Sequence, residues 1–176
     1  MICRAKYGSY CRSCKTKTDQ AALLRGKLGA EKVLAHGKEP SDMGTYGTGF
    51  YWMEQAAKVV PICRVLPTST ADIVKVLEVS HETQCPFAVK SGGCATYAEA
   101  ANIEGGITID LSRFKEITIS QDRKTVMVST GCRWGEVYSK LDKVGLAIVG
   151  GRISSVGVGG LTLGGRRIPS LRLFVR

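Results

Sequence analysis

Two glycine-rich segments, each placed directly behind a short apolar run, constrain this chain more than any other feature. The first reads Lys90-Ser91-Gly92-Gly93-Cys94, and the second, residues 150–160, reads GGRISSVGVGG behind Leu146-Ala147-Ile148-Val149. Adjacent glycines remove the Cβ atoms that keep a ligand away from main-chain N–H groups. They also admit positive φ angles, so successive N–H groups can point into one concavity suited to an anion. Ser91, Ser154 and Ser155 add hydroxyl donors. Neither segment has the P-loop pattern and no GxGxxG opens a helix, which disfavours those two kinds of nucleotide fold. Read alone, each segment is equally a tight turn.

The pattern around the loops is regular from Pro61 onward. Ile62, Arg64, Val65 and Leu66 predict a short strand that Pro67 stops, and Ser69-Thr70-Ala71-Asp72 has the form of a capping box that opens a helix. Ile73, Val74 and Leu77 are expected to share that helix's buried face, with the helix fading near His81 or Thr83 and a strand following over residues 86–90. Short connections in a strand, helix, strand unit predict a parallel pair with a right-handed crossover. Ile107, Ile109 and Leu111 alternate with Thr108 and Asp110. Residues 115–119 and 125–130 repeat the alternation about the polar turn Ser120-Gln121-Asp122-Arg123, which predicts a β-meander. Trp134, Val137, Tyr138, Leu141 and Val144 form one helical stripe closed by Gly145, and residues 146–149 form another buried strand. The fold class is α+β.

The first 60 residues are expected to form a loosely held arm, with a helical candidate at residues 19–28 and a glycine-rich stretch at residues 37–49. Tyr46, Phe50, Tyr51 and Trp52 would dock its end. The net charge of +10 is concentrated in the flanks. Residues 1–60 hold 10 basic and 5 acidic residues, residues 61–165 hold 11 and 10, and the last eleven hold Arg166, Arg167, Arg172 and Arg176 with no acid. A nucleic-acid reader places its basic stripe on the element that docks, so nucleic acid is not the expected partner. No stretch approaches the roughly 20 apolar residues of a membrane span.

The cysteines at 3, 11, 14, 63, 85, 94 and 132 are odd in number and dispersed, and no secretory apolar run opens the sequence. A reduced, cytoplasmic setting is the default expectation. Cys11 and Cys14 have the spacing of a zinc half-site, with Cys3 and His36 as the other available ligands, but the second half lacks paired spacing and no metal is expected. With His36 and His81 the sole histidines, a Ser/His/Asp triad or two-histidine metal site has little to build on. Cys94 is the reactive-looking side chain, set beside several loop N–H groups.

Five collinear segments resemble one known family. PTSTADIVKVL, FAVKSGG, GGITIDLSRFKEITIS, VSTGCRWGEVYSKL and GLAIVGGRISSVGVGGLTLGG follow one another between residues 61 and 165. Their order and spacing are those of FAD-linked oxidoreductases with the flavin-binding domain shared by vanillyl-alcohol oxidase, p-cresol methylhydroxylase (PCMH) and the berberine-bridge-like enzymes of fungi and plants. The resemblance implies the N-terminal portion of a two-subdomain PCMH-type FAD-binding fold over residues 61–165, flanked by the arm 1–60 and a basic tail 166–176. It implies FAD with its pyrophosphate on the first loop, at Lys90, Ser91, Gly92, Gly93 and Cys94, and further contacts from the second, at Gly151, Ser154, Ser155, Val156, Gly157 and Gly160. It also implies oxidation of a small organic substrate by hydride transfer to the flavin, within secondary metabolism, with the protein binding and tuning the cofactor.

Two departures from the family shape the expectation. Many members carry a histidine directly after Ser-Gly-Gly, covalently attached to the flavin; here that position is Cys94. The cysteine that anchors bicovalent members aligns with Ile153. Lacking both, the chain is expected to bind FAD non-covalently. Members also continue past LTLGG into the rest of the second subdomain and a substrate domain, whereas this chain reads RRIPSLRLFVR. A truncated chain without its substrate domain is the expectation, and no catalytic residue can be assigned. Two rival readings remain open: a non-catalytic nucleotide- or partner-binding module on the same loops, and a zinc-stabilised nucleic-acid binder using Cys3, Cys11 and Cys14.

Overall fold

Helices α1 (Lys17–Leu28) and α2 (Thr70–Thr83) pack with a four-stranded sheet formed by β1 (Val33–Ala35), β2 (Cys63–Val65), β3 (Phe87–Lys90) and β4 (Ile107–Asp110). The computed structural model describes residues 17–35, 51–52, 58–164 and 173–175. The strand order is β1-β2-β4-β3, with β1 antiparallel to β2 and both β2 and β3 parallel to β4. The predicted parallel pair of β2 and β3 is therefore not direct, because β4 enters between them. β4 suits the centre: Ile107 and Ile109 pack with the helices, while Thr108 and Asp110 find polar partners on the other face, so all four residues are buried. β3 takes the edge, with Phe87 and Val89 exposed.

The same placement of β4 breaks the predicted meander. β5 (Ile117–Ile119) and β6 (Val126–Val128) form a separate antiparallel hairpin about the predicted polar turn. Asp122 Oδ1 closes that turn, accepting from Ser120 Oγ at 2.6 Å and Lys124 N at 3.1 Å.

Residues 17–35, expected within a loose arm, instead belong to the core. Ala21, Leu24 and Leu28 recur at i, i+3 and i+7 and pack with Val33, Cys63, Val65, Val76, Val79, Ile107 and Ile109. Cys3, Cys11, Cys14, His36, Tyr46, Phe50 and the four C-terminal arginines lie outside the described residues. Among the described residues, no helix is long and apolar enough to cross a membrane.

The capping box forms as the sequence predicts: Ser69 Oγ accepts from Asp72 N at 3.2 Å, and Asp72 Oδ2 accepts from Ser69 N at 3.2 Å. The predicted buried face does not. Asp72 turns inward, where it also takes Thr68 N, Thr68 Oγ and Lys32 Nζ at 2.9, 3.1 and 2.9 Å. That fixes the helix's rotation, so Val76, Val79 and Ser80 face the sheet while Val74 and Leu77 stay 49% and 40% exposed. Burial opposes ionisation of Asp72, but the hydrogen bonds from Thr68 and Lys32 overcome it and hold the carboxyl well below its usual range. A carboxyl depressed in the folded state contributes stability that is full above its unfolded value, about pH 4, and is lost as pH falls toward the folded value. Asp72→Asn is therefore expected to cost about 1–3 kcal/mol at pH 7, with the gap to wild type closing below about pH 4. Urea unfolding of both proteins at the two pH values checks this, and a gap independent of pH contradicts it.

A second core lies around helix α3 (Trp134–Asp142). Trp134, Val137 and Leu141 of the predicted stripe are buried against Ile117, Cys132, Leu146 and Val158 with Tyr138 packed beside them, whereas Val144 lies past the end of the helix and is exposed. Gly145 follows the helix with φ +66, a left-handed value that favours glycine. β7 (Leu146–Ile148) comes next and pairs antiparallel with β8 (Leu173–Val175). Between them the end of the second glycine segment is not loop: Val158–Leu163 forms helix α4. The chain is thus two α+β units, one around each core, and both glycine segments lie where they meet.

Candidate cofactor-binding site

The two glycine loops touch backbone to backbone. A Cβ on Gly92 would sit 2.6 Å from Gly157 Cα and N, and a Cβ on Gly157 would sit 2.6 Å from Gly92 Cα and N. Ser91 Oγ donates to Thr130 O at 2.5 Å and lies 3.0 Å from where a Gly159 Cβ would be. Val158 N donates to Cys132 O at 2.9 Å and Trp134 N donates to Val156 O at 3.0 Å, which lays the second loop along the start of α3. Arg133, buried, reaches across to donate to Ser155 O. Gly93 takes φ +67, the conformation expected of a nest.

Between the loops lies a cleft of about 840 Å³. Ser91, Gly92, Gly93, Cys94, Gly151, Val156, Gly157 and Gly160 line it, together with Ile153. Among the described residues, the N–H groups of Gly92, Gly93 and Cys94 have no hydrogen-bond acceptor, although Gly92 and Gly93 are buried. Unpaired buried N–H groups are costly and call for an acceptor. An anion in the cleft is one such acceptor.

Three residues singled out from the sequence do not line the cleft. Lys90 points away from it into an ion pair with Asp110, Nζ to Oδ2 3.0 Å, and burial lowers its pKa against the opposing pull of that carboxylate. Ser154 and Ser155 are turned aside by a tight bend in which Val156 N donates to Ile153 O, and the Ser154 carbonyl instead accepts from Gly135 N at 3.0 Å. Ser91 lines the cleft, but its hydroxyl proton is committed to Thr130. Cys94 Sγ lies 3.4 Å from Gly92 O and 3.7 Å from Ser155 O, turned onto the loops' own carbonyls. Burial pushes the Cys63 thiol up to about 12 and raises Cys132, which leaves both as packing residues.

The sequence reading missed the apolar walls, among them Val89, Ala101, Leu111, Val149 and Leu161. It also missed Tyr51 and Trp52 as part of the site's surroundings: Trp52 N donates to Gly93 O at 2.8 Å, and the Tyr51 ring centroid lies 5.4 Å from Lys90 Nζ. Their aromatic character was the available signal, but it pointed to docking and not to a position. Among the described residues, no group of three or more His, Cys, Asp or Glu is placed to hold a metal.

Comparison with known proteins gives this geometry its context. The FAD binding domain family matches residues 61–167. The FAD-dependent monooxygenase tpcD of Cochliobolus heterostrophus is 37% identical over 152 residues, covering 84% of this chain and 29% of that protein. Among solved structures, Phl p 4, a grass pollen allergen with glucose dehydrogenase activity, superposes with TM-score 0.69 at 22% identity, over 84% of this chain and 31% of the other. Wild-type Physcomitrella patens BBE-like 1 gives TM-score 0.64 at 23% identity, over 83% and 30%. The chain spans somewhat under a third of the proteins it matches. With the family matched across both glycine loops, and the fold shared with these solved structures, the chain belongs to the FAD binding domain family.

Proposed function

We propose that this chain is the cofactor-holding part of an FAD-dependent oxidoreductase acting on a small organic molecule, and that it binds FAD without a covalent link. The observation that carries the reading is the meeting of the two loops on one cleft, with the N–H groups of Gly92, Gly93 and Cys94 left without acceptors among the described residues. Those groups would hold the diphosphate, and Gly157 and Gly160 would border it from the opposite loop. When bound, FAD supplies the hydride acceptor for substrate oxidation. The chain's own residues bind and orient it, and the apolar walls at Leu111, Val149 and Leu161 would pack against it.

Two anchor positions support non-covalent attachment. Cys94 is turned onto loop carbonyls, and Ile153 at the cleft mouth has no nucleophile. The test is an absorption spectrum of the chain in excess FAD, followed by acid precipitation. The expected result is a flavin band that travels with the native protein and leaves the precipitate for the supernatant. Flavin retained in the acid pellet overturns the non-covalent reading. Protein that stays colourless at saturating FAD overturns the FAD reading itself.

A further inference from the structure

The ion pair between Lys90 and Asp110 is sealed from solvent, with side chains 1% and 0% exposed. The two residues end β3 and β4 and stand opposite each other in the ladder. Lys90 leads directly into the first glycine loop, and Asp110 leads into Leu111 on the cleft wall. Asp110 Oδ1 also accepts from Ser112 N at 3.0 Å, so one carboxylate ties the root of the loop to the turn beyond β4. A buried ion pair recovers little of its desolvation cost, and apolar residues of like volume often serve stability as well or better. Its place at the root of the loop therefore asks for a role other than stability. The ammonium is closed off and bonded, so it is not itself a ligand in the cleft.

We propose that Lys90 and Asp110 are a positioning pair that sets the first glycine loop so that its N–H groups converge on the diphosphate of FAD. The proposal rests on the FAD reading above. It differs in outcome from a lysine that binds the diphosphate directly. For a direct ligand, Asp110→Asn frees the ammonium and leaves FAD affinity equal or tighter. For a positioning pair, Asp110→Asn and Lys90→Met each weaken FAD by about tenfold or more, and the paired Lys90→Met/Asp110→Leu variant weakens it no further than either single change. Riboflavin, which lacks the diphosphate, is expected to bind all of them as it binds wild type.

The experiment is a fluorescence titration of the full chain and the three variants with FAD and with riboflavin, alongside thermal melts. The paired variant replaces charge with apolar volume and is expected to melt near wild type, so it carries the test where a single variant fails to fold. Stability restored in the paired variant with FAD still weakened and riboflavin unchanged supports the pair's role. FAD affinity restored along with stability overturns it, as does parallel loss of FAD and riboflavin, or Asp110→Asn binding FAD as tightly as wild type. A wild-type chain that does not bind FAD fails the underlying reading instead, and takes this proposal with it.

Discussion

Alanine at Gly92 or Gly157 is expected to abolish FAD binding and to destabilise the chain by about 1–3 kcal/mol. Each new Cβ would fall 2.6 Å from the backbone of the facing loop, a distance no side-chain rotation relieves, because the obstructing atoms are Cα and N. The loops must separate, and the cleft they form changes shape beside Gly92, Gly93 and Cys94. Neither glycine has a left-handed φ, so the effect is purely one of space. Gly160→Ala supplies the control for stability alone. It too borders the cleft, but its Cβ meets no protein atom within 4 Å, and within α4 alanine is the better helix former. The measurement is FAD titration with thermal melting of all three variants. Gly92→Ala binding FAD as wild type does would refute the claim that the close approach of the loops builds the site.

The contrast between Gly92 and Gly93 shows what the sequence reveals of such a loop. The pair Gly92-Gly93 suggests a cradle because both spatial and torsional freedom follow from the residue type, and the structure divides the two between neighbours. Gly93 takes the positive φ and Gly92 the close approach. The capping box at Ser69 and the stripe on α3 were equally legible, since each is set by contacts within a turn or two of helix.

What escaped the sequence depends on partners far along the chain. The insertion of β4 between β2 and β3 is decided by pairing across 20 residues and more, which local alternation does not encode. The inward turn of Asp72 is completed by Lys32, 40 residues away, and α2 buries Val76 and Val79 rather than the face that Ile73, Val74 and Leu77 suggested. Nothing in the local sequence singles out Arg133. Its burial and its bond to Ser155 exist only because the second loop folds back onto the start of α3.

Trp134→Ala is expected to be the most damaging single change to the second unit, at about 3–5 kcal/mol. The indole is almost wholly buried and stacks with Tyr138 at 5.8 Å between centroids. It is also the floor on which the second loop rests. A Cβ on Gly150 would fall 2.1 Å from Trp134 Cζ3, and one on Gly151 would fall 2.4 Å from Cδ1. Gly150 and Gly151 therefore need to be glycine because the chain lies flat against the ring, and neither has a left-handed φ. Tyr138 Oη completes the arrangement by donating to Gly151 O at 2.7 Å. Removing the indole leaves a cavity under the loop, so loss of FAD affinity is expected to accompany loss of stability. Trp134→Phe separates packing from polarity. Among the described residues the buried indole Nε1 has no hydrogen-bond partner, so phenylalanine gives up area and no bond. Its cost is expected to be well under half that of alanine, with FAD binding retained. Urea unfolding of both variants and FAD titration in parallel decide it. Equal losses for Phe and Ala would mean that the indole nitrogen has a partner in solution, and a Trp134→Ala chain as stable as wild type would show that the loop does not depend on the ring.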